Sequence, residues 1–157
     1  MSPGSRFRPH HIERSGELTL PLPLGHVFPL FSPEGERAWV AGWDPEYLHP
    51  THPSLAAGTV FRTTHDGEET VWLVLRYDTH LAVAEYGRFT PGSRVGTVSV
   101  QCHEEATAVT RVSVTYALTA LSPAGNTVLT ELTAAHYSRM LRDWQEALMQ
   151  SQNPNKG

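Results

Sequence analysis

Two runs in the second half of the chain alternate apolar and polar residues most clearly. In 107–120, Val112, Val114, Tyr116 and Leu118 fall on one side, and Arg111, Ser113 and Thr115 on the other. In 94–103, Val98, Val100 and Cys102 oppose Thr97, Ser99 and Gln101. A period of two is that of a strand with one face covered and the other wet. Runs 59–64, 70–77 and 80–89 share the Val, Thr, Tyr and Leu content that suits a half-buried pleated surface. His65-Asp66-Gly67 is a hairpin signal. Asp78-Thr79, Thr90-Pro91-Gly92-Ser93 and Glu104-Glu105-Ala106 are the other links. Links this short require antiparallel neighbours. An earlier strand is expected over 11–20, ended by Pro21 and Pro23.

Helical spacing appears in three places. Segment 24–31 is apolar enough for one or two turns, with Pro29 inside it. A second short helix follows, with Ser32 as cap, Pro33 at its first position, Glu34 and Glu36 at its positive end and Gly42 past its end. Asp44-Pro45 then opens a loop through Pro50 and Pro53 to about residue 57. Ser122-Pro123-Ala124-Gly125 introduces the last element, expected as one helix to about residue 150. Its stripe is Tyr137, Leu141, Trp144 and Leu148, with Met140 and Ala147 beside it. Arg139, Arg142, Asp143 and Glu146 take the opposite side. Such a helix would be roughly 40 Å long.

The expected class is α+β: a curved antiparallel sheet wrapped around a long C-terminal helix, with two short helices after the first strand. Residues 11–150 are expected as one domain between a flexible N-terminus, 1–10, and a flexible tail, 151–157.

Composition narrows the functions. A chain of 157 residues with 39% hydrophobic and 18% charged content is globular and can bury one sizeable core. The net charge of −4 is mixed along the chain, with no basic stripe, which argues against nucleic-acid binding. No apolar run approaches the roughly 18 residues of a membrane span, so no stable membrane insertion is expected. Arg6 and Arg8 are not followed by an apolar signal region, and Cys102 is the lone cysteine. Both fit a cytoplasmic protein without disulfides. All but one of the twelve basic residues are arginines, and Lys156 lies in the tail, which leaves no lysine for a Schiff base or a phosphate loop.

This order of elements resembles the SRPBCC superfamily, the START-like helix-grip fold of polyketide cyclases, birch pollen allergen relatives and lipid-transfer domains. The resemblance covers about 11–150. Pro33-Glu34-Gly35-Glu36-Arg37-Ala38-Trp39 with Gly42-Trp43-Asp44-Pro45, and Glu85-Tyr86-Gly87-Arg88 with Pro91-Gly92, are similar to segments of uncharacterised bacterial members. The resemblance implies a cavity between sheet and long helix that takes an apolar or amphipathic small molecule. The two-His, one-carboxylate iron site of ring hydroxylases in that superfamily has no counterpart here.

Candidate wall residues are the aromatics Trp39, Trp43, Trp72, Tyr116, Tyr137 and Trp144, with Tyr86 beside them. Each equally serves as core, since an aromatic ring buries about 150–250 Å². Glu85 alternates with Leu81 and Val83 and is the one weak catalytic candidate, as an inward carboxylate of raised pKa. The reverse parity would place Ala82, Ala84 and Tyr86 inside and leave Glu85 wet, or paired with Arg88 or Arg111. Glu36 is read as complementing the dipole of its short helix. His49 and His52 lie three apart in a proline-rich loop, a weak metal pattern, and no metal or cofactor is expected. Cys102 is read as a buried inert thiol, and no Gly-x-Ser-x-Gly elbow is present.

The first expectation is therefore a binding protein for a lipid-like, aromatic or polyketide-like molecule. One alternative is a cyclase, dehydratase or hydrolase using the same cavity with Glu85 as acid or base. Another is an interaction module with a filled core, which leaves room for a homodimer. Whether the chain is an enzyme stays open at this level.

Overall fold

Seven antiparallel strands form one sheet in the order β1-β7-β6-β5-β4-β3-β2. The computed structural model describes residues 6–152. The outermost parts of the expected flexible ends, 1–5 and 153–157, lie outside the described residues. The strands are β1 (His11–Leu20), β2 (Glu46–His49), β3 (Val60–His65), β4 (Glu68–Asp78), β5 (Val83–Thr90), β6 (Arg94–Ala106) and β7 (Val109–Ala120). A helical turn, α1 (Leu24–Val27), and two 3-10 turns, Phe28–Phe31 and Gly35–Ala38, follow β1. Helices α2 (Pro123–Glu131) and α3 (Ala134–Ser151) close the chain.

The expected sheet faces hold. Val98, Val100 and Cys102 of β6 and Val112, Val114, Tyr116 and Leu118 of β7 are all buried. Val100 pairs with Val114 and Val98 with Tyr116, so the two apolar rows lie side by side on one face. Helix α3 covers that face with Tyr137, Leu141 and Leu148. It crosses close to β1 because Gly16 offers no side chain. A Cβ there would stand 2.5 Å from Leu141 Cδ1. Tyr137 fixes the depth of the helix by donating its hydroxyl to the Val114 carbonyl at 2.7 Å.

Three expectations are corrected. The C-terminal helix is two helices, broken at Leu132 and Thr133. Leu132 leaves helical geometry at ψ 66°, and Thr133 caps α3 by accepting from the His136 N–H at 3.1 Å. The Thr127 and Thr130 hydroxyls bond back to carbonyls four residues earlier, a habit that weakens a helix interior. The 18 residues of α3 span about 27 Å rather than the expected 40 Å.

The second short helix is only a 3-10 turn. The Ser32 Oγ accepts from the Gly35 N–H at 2.9 Å, but the residue that caps the turn is Glu34, without a side-chain bond, and Trp39 at φ −137° ends it. The proline-rich loop contains β2, a strand of four residues pairing with β3 at the sheet edge. Four residues between Pro45 and Pro50 are too few for alternation to show.

Candidate functional site

The sheet and α3 do not close completely on each other. Between β3–β6, the stretch from Phe31 to Trp43 and the middle of α3 lies a cavity of about 350 Å³. That is at the lower end of the roughly 300–1,000 Å³ of small-molecule sites.

Aromatic rings build one wall. Phe61 of β3 stacks on Trp72 of β4, with ring centres 6.0 Å apart. Trp43 meets both edge-on, at 6.2 Å from Phe61 and 5.7 Å from Trp72. Each indole has a fixed partner: Trp43 donates to the Pro33 carbonyl at 2.8 Å and Trp72 to the Thr63 hydroxyl at 3.0 Å. A ring pinned by both its N–H and its neighbours cannot swing in to fill the space. Tyr116, Met140 and Trp144 complete the opposite side.

Of the aromatics singled out from the sequence, Trp43, Trp72, Tyr86, Tyr116 and Trp144 come together on this cavity, with the Tyr86 hydroxyl donating to the Phe31 carbonyl at 2.8 Å. Trp39 does not line it. It is buried between Phe31 and Trp144, at 5.5 and 5.4 Å, and donates to the Leu30 carbonyl at 2.8 Å. Without a regular helix over 34–42, Trp39 and Trp43 point to different neighbours. Tyr137 also stays outside, in the layer behind Tyr116, with its hydroxyl committed to Val114.

Glu85 is a plain correction. Ala82, Ala84 and Tyr86 face inward, so Glu85 faces out, 39% exposed, and its carboxylate meets Arg76 at 3.5 Å. Neither Arg88 nor Arg111 is its partner. His49 and His52 assemble nothing. Among the described residues no group of three His, Cys, Asp or Glu side chains is placed to hold a metal. Burial pushes the Cys102 thiol up to about 12, which leaves it protonated and unreactive.

Two polar residues on the cavity were given other roles by the sequence. Glu36 lines it with no hydrogen-bond partner among the described residues, and burial pushes its carboxyl up to about 8. It therefore carries its proton at neutral pH. Arg88, two residues after Tyr86 on the inward face of β5, lines it too. Its guanidinium lies over the rings of Trp72 and Tyr116, 4.9 and 5.9 Å from their centres. Burial pulls its pKa down, and its Nε is closed off with no partner. Tyr116, near both, has its hydroxyl pushed up to about 12, mainly by burial. The mouth is marked by Arg94, held on Glu68 at 2.8 and 3.2 Å.

No protein-family model and no curated protein matches the sequence. Solved structures do match the fold. Norcoclaurine synthase from Thalictrum flavum, in complex with dopamine and hydroxybenzaldehyde, superposes with TM-score 0.64 at 10% identity, covering 90% of this chain and 88% of that one. An uncharacterised protein from Rhizobium leguminosarum gives 0.66 at 16%, over 91% and 97%. Ara h 8.0201 gives 0.61 at 15%, over 89% and 95%. The chain shares the helix-grip fold of these structures. No helix of the described residues is long and apolar enough to cross a membrane.

Proposed function

We propose that the protein binds one compact apolar or amphipathic small molecule in the cavity under α3. The observation that carries this reading is the open space itself, walled by pinned aromatic rings and bordered by polar groups with no protein partner. A core serving only stability would fill such a space and pair such groups. The volume favours a one- or two-ring molecule over a lipid with long chains. That the norcoclaurine synthase neighbour accommodates two small aromatics is in keeping with this size.

Burying about 200 Å² of apolar ligand surface would contribute roughly 5 kcal/mol, before association costs of about 4 kcal/mol or more. Apolar contact alone therefore leaves little net affinity, and the polar groups on the wall decide what binds well. Native mass spectrometry against a panel of small aromatics and lipids tests the reading. We expect one-to-one complexes with ring compounds. An apo mass across the whole panel would contradict it.

A second reading, an enzyme of the cyclase, dehydratase or hydrolase type, is favoured by one observation. Glu36 is a protonated carboxyl on the cavity wall, which a general acid requires at neutral pH. The role considered for Glu85 passes to Glu36 in this reading. Any turnover found with a bound ring compound should be lost in Glu36→Gln and kept in Glu85→Gln.

A further inference from the structure

We propose that Arg88 anchors a carboxylate, so that the ligand of this cavity is a compact aromatic or apolar acid. The inference rests on the small-molecule reading above and adds the charge of the ligand to it.

Three other arginines show what this one lacks. Arg37 holds Glu34 and Asp44, Arg62 holds Glu46, and Arg94 holds Glu68, all at 3.0 Å or less. Arg88 has no carboxylate within ion-pair distance among the described residues, and none accepts its N–H groups. Glu68 acts on it electrostatically, but both Glu68 oxygens already accept from Arg94. Glu36 lines the same cavity but forms no ion pair with Arg88.

The rings of Trp72 and Tyr116 occupy the guanidinium faces. What remains is the in-plane edge, a fork of N–H donors matched in spacing to a carboxylate. A cation withdrawn from water and left without an anion is costly. A ligand carboxylate would remove that cost, and a neutral ligand would not. The single uncommitted positive charge suits a monoanion. A phosphate dianion would call for a second cation, and the neighbouring Arg94 is engaged. Phe61, Trp72, Met140 and Trp144 form an apolar part of the wall that would take the ring.

The test is calorimetric titration of the intact protein with 2-naphthoate and with methyl 2-naphthoate, which has the same rings without the charge. The wild type should bind the acid at least about tenfold more tightly than the ester, as a charge-assisted bond predicts. Arg88→Met should lose that preference while keeping its affinity for the ester. Arg88→Lys should keep only part of it, having the charge but not the fork. Equal binding of acid and ester by the wild type would overturn the inference and leave the small-molecule reading standing. So would a preference that survives in Arg88→Met. Binding of neither compound at millimolar concentration would overturn both. The wild-type pair alone decides the matter if a variant does not fold.

Discussion

The two halves of the helix-grip interior are built on opposite terms. Where α3 lies against β1 and the neighbouring part of β7, large groups are matched. Leu141 presses on Gly16, Leu148 and Val112 are fully buried, and the Tyr137 hydroxyl reaches the Val114 carbonyl. On the side of β3, β4, β5 and the 3-10 turn, aromatic rings are pinned around a space, and Glu36 and Arg88 border it unpaired. The first half stabilises the fold. The second leaves polar groups without partners among the described residues, the arrangement that the proposed binding role calls for.

The comparison breaks first at Leu141. Leu141→Ala should destabilise by about 2–5 kcal/mol in chemical denaturation, through lost burial and the cavity left behind. It should leave any ligand affinity within about threefold, because Leu141 does not line the site. A loss of binding as large as the loss of stability would mean the halves are not separable.

Glu36 sharpens the comparison with the opposite sign. Below about pH 4.5 the folded and unfolded chains both hold its proton, and the residue costs nothing. Between 4.5 and about 8 the unfolded chain releases the proton while the folded chain keeps it, so stability falls as pH rises. Above 8 both are ionised and the cost is at its largest. Glu36→Gln should therefore leave stability unchanged at pH 4 and raise it by several kcal/mol, up to about 5, at pH 8.5. Thermal melts across this range read it directly. A gain that is the same at both ends would show that the carboxyl is not held protonated by burial.

Glu85 provides the smallest effect. Exposed and loosely paired with Arg76, it should change stability by no more than about 0.5 kcal/mol on conversion to Gln, with ligand affinity unaltered.

The packed half was the more legible in sequence. Alternation in β6 and β7 and the stripe on α3 are direct images of burial, and they identify Val112, Val114, Leu141 and Leu148 without any tertiary information. The break at Leu132 and Thr133 was not legible, because it uses a threonine cap rather than glycine or proline.

The open half was harder to read for a physical reason. Glu36 is inward only because the sheet curls over a 3-10 turn whose residues have no clear periodicity. Glu85 misleads because both parities of 80–89 place apolar residues on each side. Phe89 and Leu81 face solvent, while Ala82 and Ala84 face the core. A signal for Arg88 did exist. It continues the Ala84, Tyr86 row, and a strand that sends a tyrosine inward sends the residue two later the same way.

The most direct test uses the four tryptophans, which the fold divides between the halves. Trp43 and Trp72 line the cavity, Trp144 touches it, and Trp39 sits behind it. With the indole N–H signals assigned by NMR, titration with 2-naphthoate should shift Trp43 and Trp72 most and Trp39 least. Shifts confined to Trp39, or equal across all four, would contradict the placement of the site.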